Sequence, residues 1–250
     1  MLIIFLSLII GFIILIVIEV FLATLGENEV YKNPERSPRT FGTNGPTIKY
    51  LIMGDSTSAG QGTTYDTSFA VKTAEHLAET YKVTMINSGI SGAKIREVLD
   101  DQVPFAEEFK ADVVIFSMSA NDVVRLTSTE KIKSGLTETL DRVIAANCNA
   151  KIVVTGSPDM GTILRFYPPL NWIASWHSKN VTEAMKPIIA ERGLTYAPIY
   201  EEVGPPFRKD HTLFYKDKYH ANERGHVVWT NVLNKALDEA LINQPSHCKS

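Results

Sequence analysis

The sequence predicts an α/β fold, in which a parallel β-sheet carries helices on both faces. Short apolar segments that suit buried strands alternate along the chain with segments whose apolar residues recur at helical spacing. Strands that alternate with helices in this way are joined by right-handed crossovers, so they run parallel. Three predicted strands end in clusters of small polar residues, around Ser56, Gly89 and Asn121. Because parallel strands share one carboxyl edge, these clusters are expected to meet there.

Five strands are predicted, and each is a short apolar run that stops at small or polar residues. The first run stops at Gly54, and the third, which holds Val-Val-Ile-Phe, has the clearest character of a buried strand. The fourth stops at Gly156, which is followed by Ser and Pro. The five strands are predicted over residues 49–53, 82–87, 111–117, 151–155 and 195–200.

Helices are predicted between the strands and after the last one. Their apolar residues follow the helical period, and Asn222 and either Ser128 or Thr129 suit N-cap positions. The helices are predicted over residues 68–81, 94–109, 128–146, 172–192 and 222–242, the fourth with a break near Pro187. The stretch from the fifth strand to residue 220 shows no clear period and is expected to be irregular.

The amino terminus has the composition of a membrane span. Residues 2–18 contain no charged side chain, Glu19 interrupts the apolar run, and residues 20–25 extend it. A span needs about 20 apolar residues. The start lacks Lys and Arg, and the run ends in a poor cleavage site, so an uncleaved transmembrane helix over residues 1–26 is favoured over a signal peptide.

The chain divides into an anchor, a linker and one folded domain. Residues 27–46, which contain several Pro, Gly and Asn, are predicted to be the linker, and residues 47–243 the domain, with a polar tail over 244–250. A net charge of −3 without a run of Lys or Arg predicts no nucleic-acid partner. Cys148 and Cys248 lack metal-type spacing, and they either pair in an oxidising compartment or stay free.

Ser56 follows the first strand on a turn of small residues, and three interpretations compete for it. The first is a nucleophilic serine on a tight strand-to-helix turn. The second is a phosphate cradle of a mononucleotide site, formed by amides of the Ser, Thr and Gly residues over 56–64. The third is a plain structural turn.

A base for Ser56 is available near the end of the chain. Asp217 lies three residues before His220, so its carboxylate can reach the imidazole Nδ1 and leave Nε2 facing a serine on another loop. Candidate donors for an oxyanion are the amides of Ser56 and Gly89 and the side-chain amide of Asn121. The alternatives are a capping role for His220 and an Asx turn at Asn121.

These residues resemble the four signature blocks of the SGNH, or GDSL, hydrolase family, in the family's order and across nearly the whole soluble part. The blocks are Gly54 to Ser56, the segment around Gly89, Asn121 with Asp122, and Asp217 to His220 with Asn222 and Gly225. The resemblance implies a flavodoxin-like three-layer α/β/α sandwich and a serine ester hydrolase without metal or cofactor. It implies Ser56 as nucleophile and first oxyanion donor, Gly89 and Asn121 as further donors, and His220 as base oriented by Asp217. The third block departs from the family at Ser119, where a Gly is usual, and this side chain is expected to crowd the acyl pocket or alter the loop.

The leading hypothesis is a membrane-anchored ester hydrolase acting on a small-molecule, lipid or acylated-glycan ester. The alternatives are an O-acyltransferase and a non-catalytic mononucleotide- or ligand-binding module. Lys32, Arg36 and Arg39 follow the span, which favours a cytoplasmic domain by the positive-inside rule. The family resemblance favours export, and an extracytoplasmic, single-pass arrangement is expected.

Overall fold

The computed structural model describes residues 2–25 and 32–248. A six-stranded sheet lies at its centre, with helices on both faces. Its strands are β1 (Arg39–Phe41), β2 (Thr47–Gly54), β3 (Lys82–Asn87), β4 (Val113–Ser117), β5 (Lys151–Thr155) and β6 (Thr195–Ala197). The helices are α1 (Leu2–Thr24), α2 (Phe69–Leu77), α3 (Ile95–Asp101), α4 (Val103–Phe109), α5 (Ala120–Val124), α6 (Thr129–Ala146), α7 (Leu170–Glu191), α8 (Ile199–Lys209) and α9 (Glu223–Asn243). Short 3-10 turns occur at Tyr65–Thr67, Met160–Thr162 and His211–Leu213.

The predicted parallel sheet is confirmed, with one addition at its edge. The strand order is β1-β3-β2-β4-β5-β6, and β2 to β6 are all parallel. Without β1 this order is the flavodoxin-like 2-1-3-4-5. The added strand β1 pairs antiparallel with β3 and lies within residues predicted as linker. Three mostly exposed residues carry no apolar pattern, so only the pairing with β3 reveals this strand. Residues 27–31 of the predicted linker lie outside the described residues.

The strand register brings the three polar clusters to one edge, as the sequence predicts. Gly54 at the end of β2 lies beside Ser117 at the end of β4. Ile52 lies beside Asn87, the last residue of β3. The segments that follow these strands therefore begin next to one another, above a core in which residues such as Ile52 and Ile115 are fully buried.

The helices differ from the prediction in four places, one of which is the short helix α5, where no helix was predicted. The helix predicted over residues 94–109 is two helices, α3 and α4, that meet at Gln102, and α7 runs through Pro187 without ending. The predicted irregular stretch contains α8, which starts where the fifth strand was expected to continue. Pro205 and Pro206 hide this helix in the sequence. Its burial of Val203 and Phe207 on one face, with acidic residues in the first turn and basic ones in the last, favours the helix nevertheless.

The amino-terminal helix α1 is long and apolar enough to cross a membrane. Its segment Ile4–Ala23 has a mean hydropathy of 3.1, and nearly all of its described side chains are exposed. Glu19 is the exception, because it is 6% exposed and its Oε2 accepts a hydrogen bond from the Leu170 amide at 3.0 Å. At the other end, a disulfide joins Cys148 to Cys248, so the described part of the tail is held against the domain.

Candidate active site

The turn that carries Ser56 depends on a glycine at the end of β2. Gly54 has φ of 141°, and a Cβ there would lie 1.7 Å from the Ser117 carbonyl oxygen, so a side chain does not fit. Asp55 is buried below the turn, and its Oδ1 accepts a hydrogen bond from the Thr57 amide at 3.0 Å. The turn therefore leaves Ser56 at the carboxyl edge with its neighbours fixed by backbone contacts.

Ser56, His220 and Asp217 form one hydrogen-bonded series. The His220 Nε2 lies 3.1 Å from the Ser56 Oγ, and Nδ1 lies 2.7 Å from the Asp217 Oδ2. The other carboxylate oxygen of Asp217 accepts hydrogen bonds from the Tyr219 and His220 amides at 2.9 and 3.0 Å. Because an ionised carboxylate only accepts, Nδ1 carries the imidazole proton and Nε2 is left to accept from the serine hydroxyl.

The charge of Asp55 is set by its burial directly under this series. Burial raises the pKa of the Asp55 carboxyl to about 6, an effect that the amides of Thr57 and Ala120 and the nearby His220 partly oppose. Tyr219 lies beside His220 and is half-buried, and partial removal from water raises the pKa of its phenol. The site therefore contains two carboxylates in different environments, Asp217 bonded to His220 and Asp55 beneath it.

The predicted oxyanion donors are the amides of Ser56 and Gly89 and the side-chain amide of Asn121, and the surroundings of Asn121 and Gly89 differ. Asn121 lies in α5 directly after β4, and its Nδ2 donates to the Ala93 carbonyl at 3.1 Å. The amide of Gly89, in contrast, donates to the Asn87 Oδ1 at 2.9 Å. A Cβ at Gly89 would lie 2.6 Å from the Ala59 amide nitrogen, so this glycine is needed for packing against the Ser56 turn. The donor capacity of its amide is already used.

Gly92 is the glycine of this loop that lies open. It has φ of 82°, a left-handed conformation that favours glycine, and it is half-buried. A Cβ there would lie 3.7 Å from the Arg125 guanidinium, with no other heavy atom so near. Asn121 holds the adjoining Ala93 carbonyl, and Asp122 accepts from the Ile95 amide at 2.9 Å, so these loops are joined at two points.

Ser119 does not point into the pocket beside Ser56, contrary to one of the two outcomes expected from the sequence. It is fully buried with φ of 88°, a left-handed conformation in which a Gly would be less strained. Its hydroxyl bonds the Met118 carbonyl and lies 3.9 Å from the Met185 Sδ on α7. The side chain therefore occupies space between β4 and α7.

A small cavity of about 50 Å³ opens beside Ser56 and His220. Its walls are mainly apolar and come from the loop after β5, from α8, from the loop that follows α8 and from α9: Met160, Ile163, Val203, Phe207, Phe214 and Trp229. The sequence does not indicate the charged part of the wall, where buried Asp159 bonds Arg208 and accepts from the Gly161 amide at 3.1 Å. The small size and the mainly apolar wall of the cavity favour a small apolar group.

The alternative of a phosphate cradle is not supported by the geometry of the turn. The amides of Ala59, Gly60 and Gln61 donate to carbonyls of the same turn, and that of Thr57 donates to Asp55. A phosphate would need such amides free and converging. Within residues 2–25 and 32–248, no group of three or more His, Cys, Asp or Glu side chains is arranged to hold a metal ion.

Two positioning residues were not anticipated from the sequence. Gln102 is fully buried and bonds the backbone of Gly54. Arg165 donates from Nε to the Asp217 carbonyl at 2.5 Å, and its guanidinium lies over the Tyr219 ring at 5.8 Å from the centroid. The only signal for Gln102 is a polar residue at an apolar position of the helical pattern, and the sequence holds none for Arg165.

A hydroxyl, an imidazole and a carboxylate in series at the carboxyl edge of an α/β/α sandwich are the arrangement expected of an ester hydrolase. Residues 52–228 match the model of the GDSL-like Lipase/Acylhydrolase family. The chain belongs to this family and is a hydrolase acting on ester bonds.

Solved structures share the fold at low sequence identity. The protein TesA matches with a TM-score of 0.65 at 18% identity, over 77% of this chain and 99% of its own. The psychrotrophic esterase EstA from Pseudoalteromonas sp. matches with a TM-score of 0.62 at 21% identity, over 78% and 100%. The acetylxylan esterase Axe2 from Geobacillus stearothermophilus matches with a TM-score of 0.59 at 16% identity, over 78% and 95%. The sequence has no match among curated proteins.

Proposed function

We propose that the chain hydrolyses carboxylic esters through an acyl-enzyme on Ser56, with His220 as general base and acid and Asp217 orienting it. The observation that carries this proposal is the unbroken series from the Ser56 Oγ through His220 to Asp217, with contacts of 3.1 and 2.7 Å. The Nδ1 proton, held by Asp217, leaves Nε2 basic and aimed at the hydroxyl.

In the first half of the cycle, the Ser56 Oγ attacks the ester carbonyl carbon while its proton passes to the His220 Nε2. Collapse of the tetrahedral intermediate breaks the bond to the alcohol oxygen, and the imidazolium gives its proton to that oxygen. The alcohol leaves, and the acyl group stays on Ser56. In the second half, water gives a proton to His220 and attacks the acyl carbon; the proton returns to the Ser56 Oγ as the acid is released.

The oxyanion of both intermediates is proposed to lie among the Ser56 amide, the Asn121 Nδ2 and the amide of Gly92, which replaces Gly89 in this role. The support is that Gly92 is open and joined to Asn121 through Ala93, whereas the Gly89 amide is bonded to Asn87. Loss of one such donor typically costs about 3–4 kcal/mol in the transition state.

The proposed substrate carries a short acyl group. The cavity beside Ser56 is small, about 50 Å³, and Ile163 and Phe207 stand in its wall. Acetyl to butyryl groups suit such a space, and Ile163 and Phe207 in its wall are proposed to disfavour longer chains. One structural neighbour is described as an acetylxylan esterase, which supports a short acyl group. A glycan is therefore the first alcohol part of the ester to test.

The domain is proposed to lie outside the cytoplasm, anchored by α1. The Cys148–Cys248 disulfide supports this side, because disulfides persist in oxidising compartments. The basic residues Lys32, Arg36 and Arg39 favour the opposite side by the positive-inside rule. The test is the gel mobility of the chain after intact cells are treated with an alkylating reagent. Neither cysteine is expected to react with the reagent until a reductant is added. Thiols that react without a reductant contradict the placement.

The catalytic proposal is tested by a fluorophosphonate probe, a choice supported by the EstA structure, which was solved inhibited by monoethylphosphonate. The full chain should become labelled, and Ser56→Ala should not. Ser134→Ala, an exposed serine on α6, serves as the control that keeps full labelling. Equal labelling of Ser56→Ala and wild type would exclude Ser56 as nucleophile. Rates on chromogenic esters from acetyl to palmitoyl then test the short acyl group.

A further inference from the structure

Four large side chains in the first turns of α7 and just before it are exposed together. Tyr167, Trp172, Ile173 and Trp176 have exposed fractions of 58, 67, 38 and 66%, and they are called the aromatic patch below. Tryptophan is usually mostly buried, so two exposed tryptophans one helical turn apart need a partner surface. The third tryptophan, Trp229, lies in the core at 4%.

The candidate membrane helix approaches the domain next to this patch. Glu19 of α1 accepts the hydrogen bond of the Leu170 amide, in the first residue of α7. Beyond Glu19, α1 still exposes apolar side chains, with Val20 at 47% and Leu22 at 49%, and Leu25, directly after the helix, is 63% exposed. The five residues of α1 after Glu19 add about 7.5 Å of length. With α1 in a bilayer, the apolar surface therefore reaches the level at which α7 begins.

The exposed face of α7 changes character along its length. It starts with Trp172 and Trp176 and continues with the exposed charged residues Lys179 and Glu183. Tryptophan and tyrosine favour the layer between hydrocarbon and water, whereas charged groups favour water. The order along α7 matches a helix that leaves a membrane surface at its amino-terminal end.

The opposite side of the same helix supports the wall of the active-site cavity. The Met160 amide donates to the Ser178 Oγ of α7 at 3.0 Å, and Met160 and Ile163 line the cavity beside Ser56. One helix thus has the aromatic patch on its outer side and the loop of the cavity wall on its inner side.

From these contacts we propose that the aromatic patch lies in the interfacial layer of the bilayer that holds α1, so that the cavity opens close to the membrane surface. The occupant of the patch is the lipid interface. This inference rests on the proposed anchoring by α1 and is independent of the roles proposed for Ser56 and His220. It assigns the enzyme to esters presented at, or diffusing along, that surface.

The test uses tryptophan fluorescence of the full chain reconstituted into vesicles. Phosphatidylcholine vesicles are compared with vesicles of the same lipid brominated in its acyl chains, which quenches nearby indoles. Emission of the wild type is expected to be about twofold lower in brominated vesicles, since two of three tryptophans face lipid. The double variant Trp172→Phe, Trp176→Phe retains Trp229 alone, and its emission should be the same in both vesicles. Equal emission of the wild type in both overturns the proposal.

Flotation of the same vesicles separates this proposal from the anchor. A chain that floats but shows no quenching overturns the aromatic patch alone, and a chain that does not float overturns the anchor and the patch together. Labelling of Ser56 by the phosphonate probe reports on the catalytic proposal in either case.

A kinetic measurement tests the consequence for catalysis. Replacement of Trp172 and Trp176 by Ser should lower the rate on a short-chain ester carried by a vesicle lipid by about threefold or more, and leave the rate on soluble p-nitrophenyl acetate unchanged. Ile242→Ser is the matched control, because Ile242 is 80% exposed on α9 and outside the patch. Equal rates of the patch variant and this control on the vesicle ester contradict the proposal.

Discussion

Gln102 binds both backbone groups of Gly54. Its Oε1 accepts from the Gly54 amide at 2.8 Å, and its Nε2 donates to the Gly54 carbonyl at 2.8 Å. Gln102 is fully buried at the junction of α3 and α4, and Gly54 begins the turn to Ser56. This contact fixes the direction in which the chain leaves β2, and therefore the position of the proposed nucleophile.

Replacement of Gln102 by Leu should impair both stability and catalysis. It leaves the Gly54 amide without its bonding partner in a buried site, which together with the lost carbonyl contact costs about 2–4 kcal/mol in the free energy of unfolding. A displaced Ser56 should lower kcat by roughly tenfold or more, because small errors in the position of a reacting group are costly. Urea unfolding and steady-state kinetics measure the two effects.

Gln244 provides a matched control for this prediction. It binds Ile152 of β5 in the same way, with contacts of 2.7 Å to the amide and 2.8 Å to the carbonyl. Ile152, however, lies near the amino-terminal end of its strand, whereas Ser56 lies at the carboxyl edge of the sheet. Gln244→Leu should lose a similar free energy of unfolding and keep kcat within about twofold. If both variants lose kcat equally, Gln102 acts on stability only.

Asp217→Asn should remove most of the activity without unfolding the domain. The Asn carbonyl oxygen can still accept from the Tyr219 and His220 amides, so the turn is retained. The Asn amide, however, donates to Nδ1 and forces the imidazole proton to Nε2, where it no longer accepts from Ser56. A loss of about 10³–10⁴ in kcat is expected. Steady-state kinetics and thermal unfolding check this, and a kcat close to wild type would place Asp217 outside the mechanism.

The parts of the fold and site that the sequence predicts are those with a local signal. Buried strands show as short apolar runs that stop at residues such as Gly54, and the parallel order then places Ser56 and Asn121 at one edge. The spacing of Asp217 and His220 predicts their contact because three residues on a turn bring carboxylate and imidazole together.

The parts that the sequence does not predict depend on contacts between distant segments. The strand β1 exists through its pairing with β3, and α8 forms in spite of two prolines because it buries Phe207. Gly89 and Gly92 are both glycines of one loop, and the close packing of Gly89 against Ala59 of the Ser56 turn distinguishes it from the open Gly92. The contact of Glu19 with Leu170 joins residues 151 positions apart.

Ser119→Gly should leave the acyl-chain preference unchanged. The Ser119 side chain lies against Met185 and outside the cavity beside Ser56. Relief of the left-handed strain, about 1–2 kcal/mol, is offset by lost hydroxyl contacts and the greater freedom of Gly when unfolded, so stability should change by less than about 1 kcal/mol. Ile163→Ala, in the cavity wall, should instead raise the rate on hexanoyl relative to acetyl esters. A changed preference in Ser119→Gly would contradict the placement of its side chain.

The stability of the protein should depend on pH through two buried groups that oppose each other. Burial lowers the pKa of His226 to about 4, and burial raises the pKa of Asp55 to about 6. Below pH 6.5 the unfolded state protonates His226 while the folded state does not, so stability falls as pH drops towards 4. The contribution of Asp55 to stability has the opposite sign. The folded state gains a proton at Asp55 as pH drops below 6, which adds stability, and this stability is lost again as pH rises through 6.

Each effect is about 3 kcal/mol at its limit, from shifts of about two pKa units at roughly 1.4 kcal/mol each, so the two largely cancel between pH 4 and 6. Asp55→Asn keeps an oxygen that can accept from the Thr57 amide, but it has no carboxyl to protonate. Between pH 7.5 and 4.5 the free energy of unfolding of this variant should therefore fall by about 2 kcal/mol more than that of the wild type. His226→Gln can still accept from the Phe69 amide and donate to the Gln61 carbonyl, and it should lose about 2–3 kcal/mol less than wild type. Urea unfolding of the three proteins at the two pH values measures the differences. Parallel pH dependences in all three would show that neither group titrates as its burial requires.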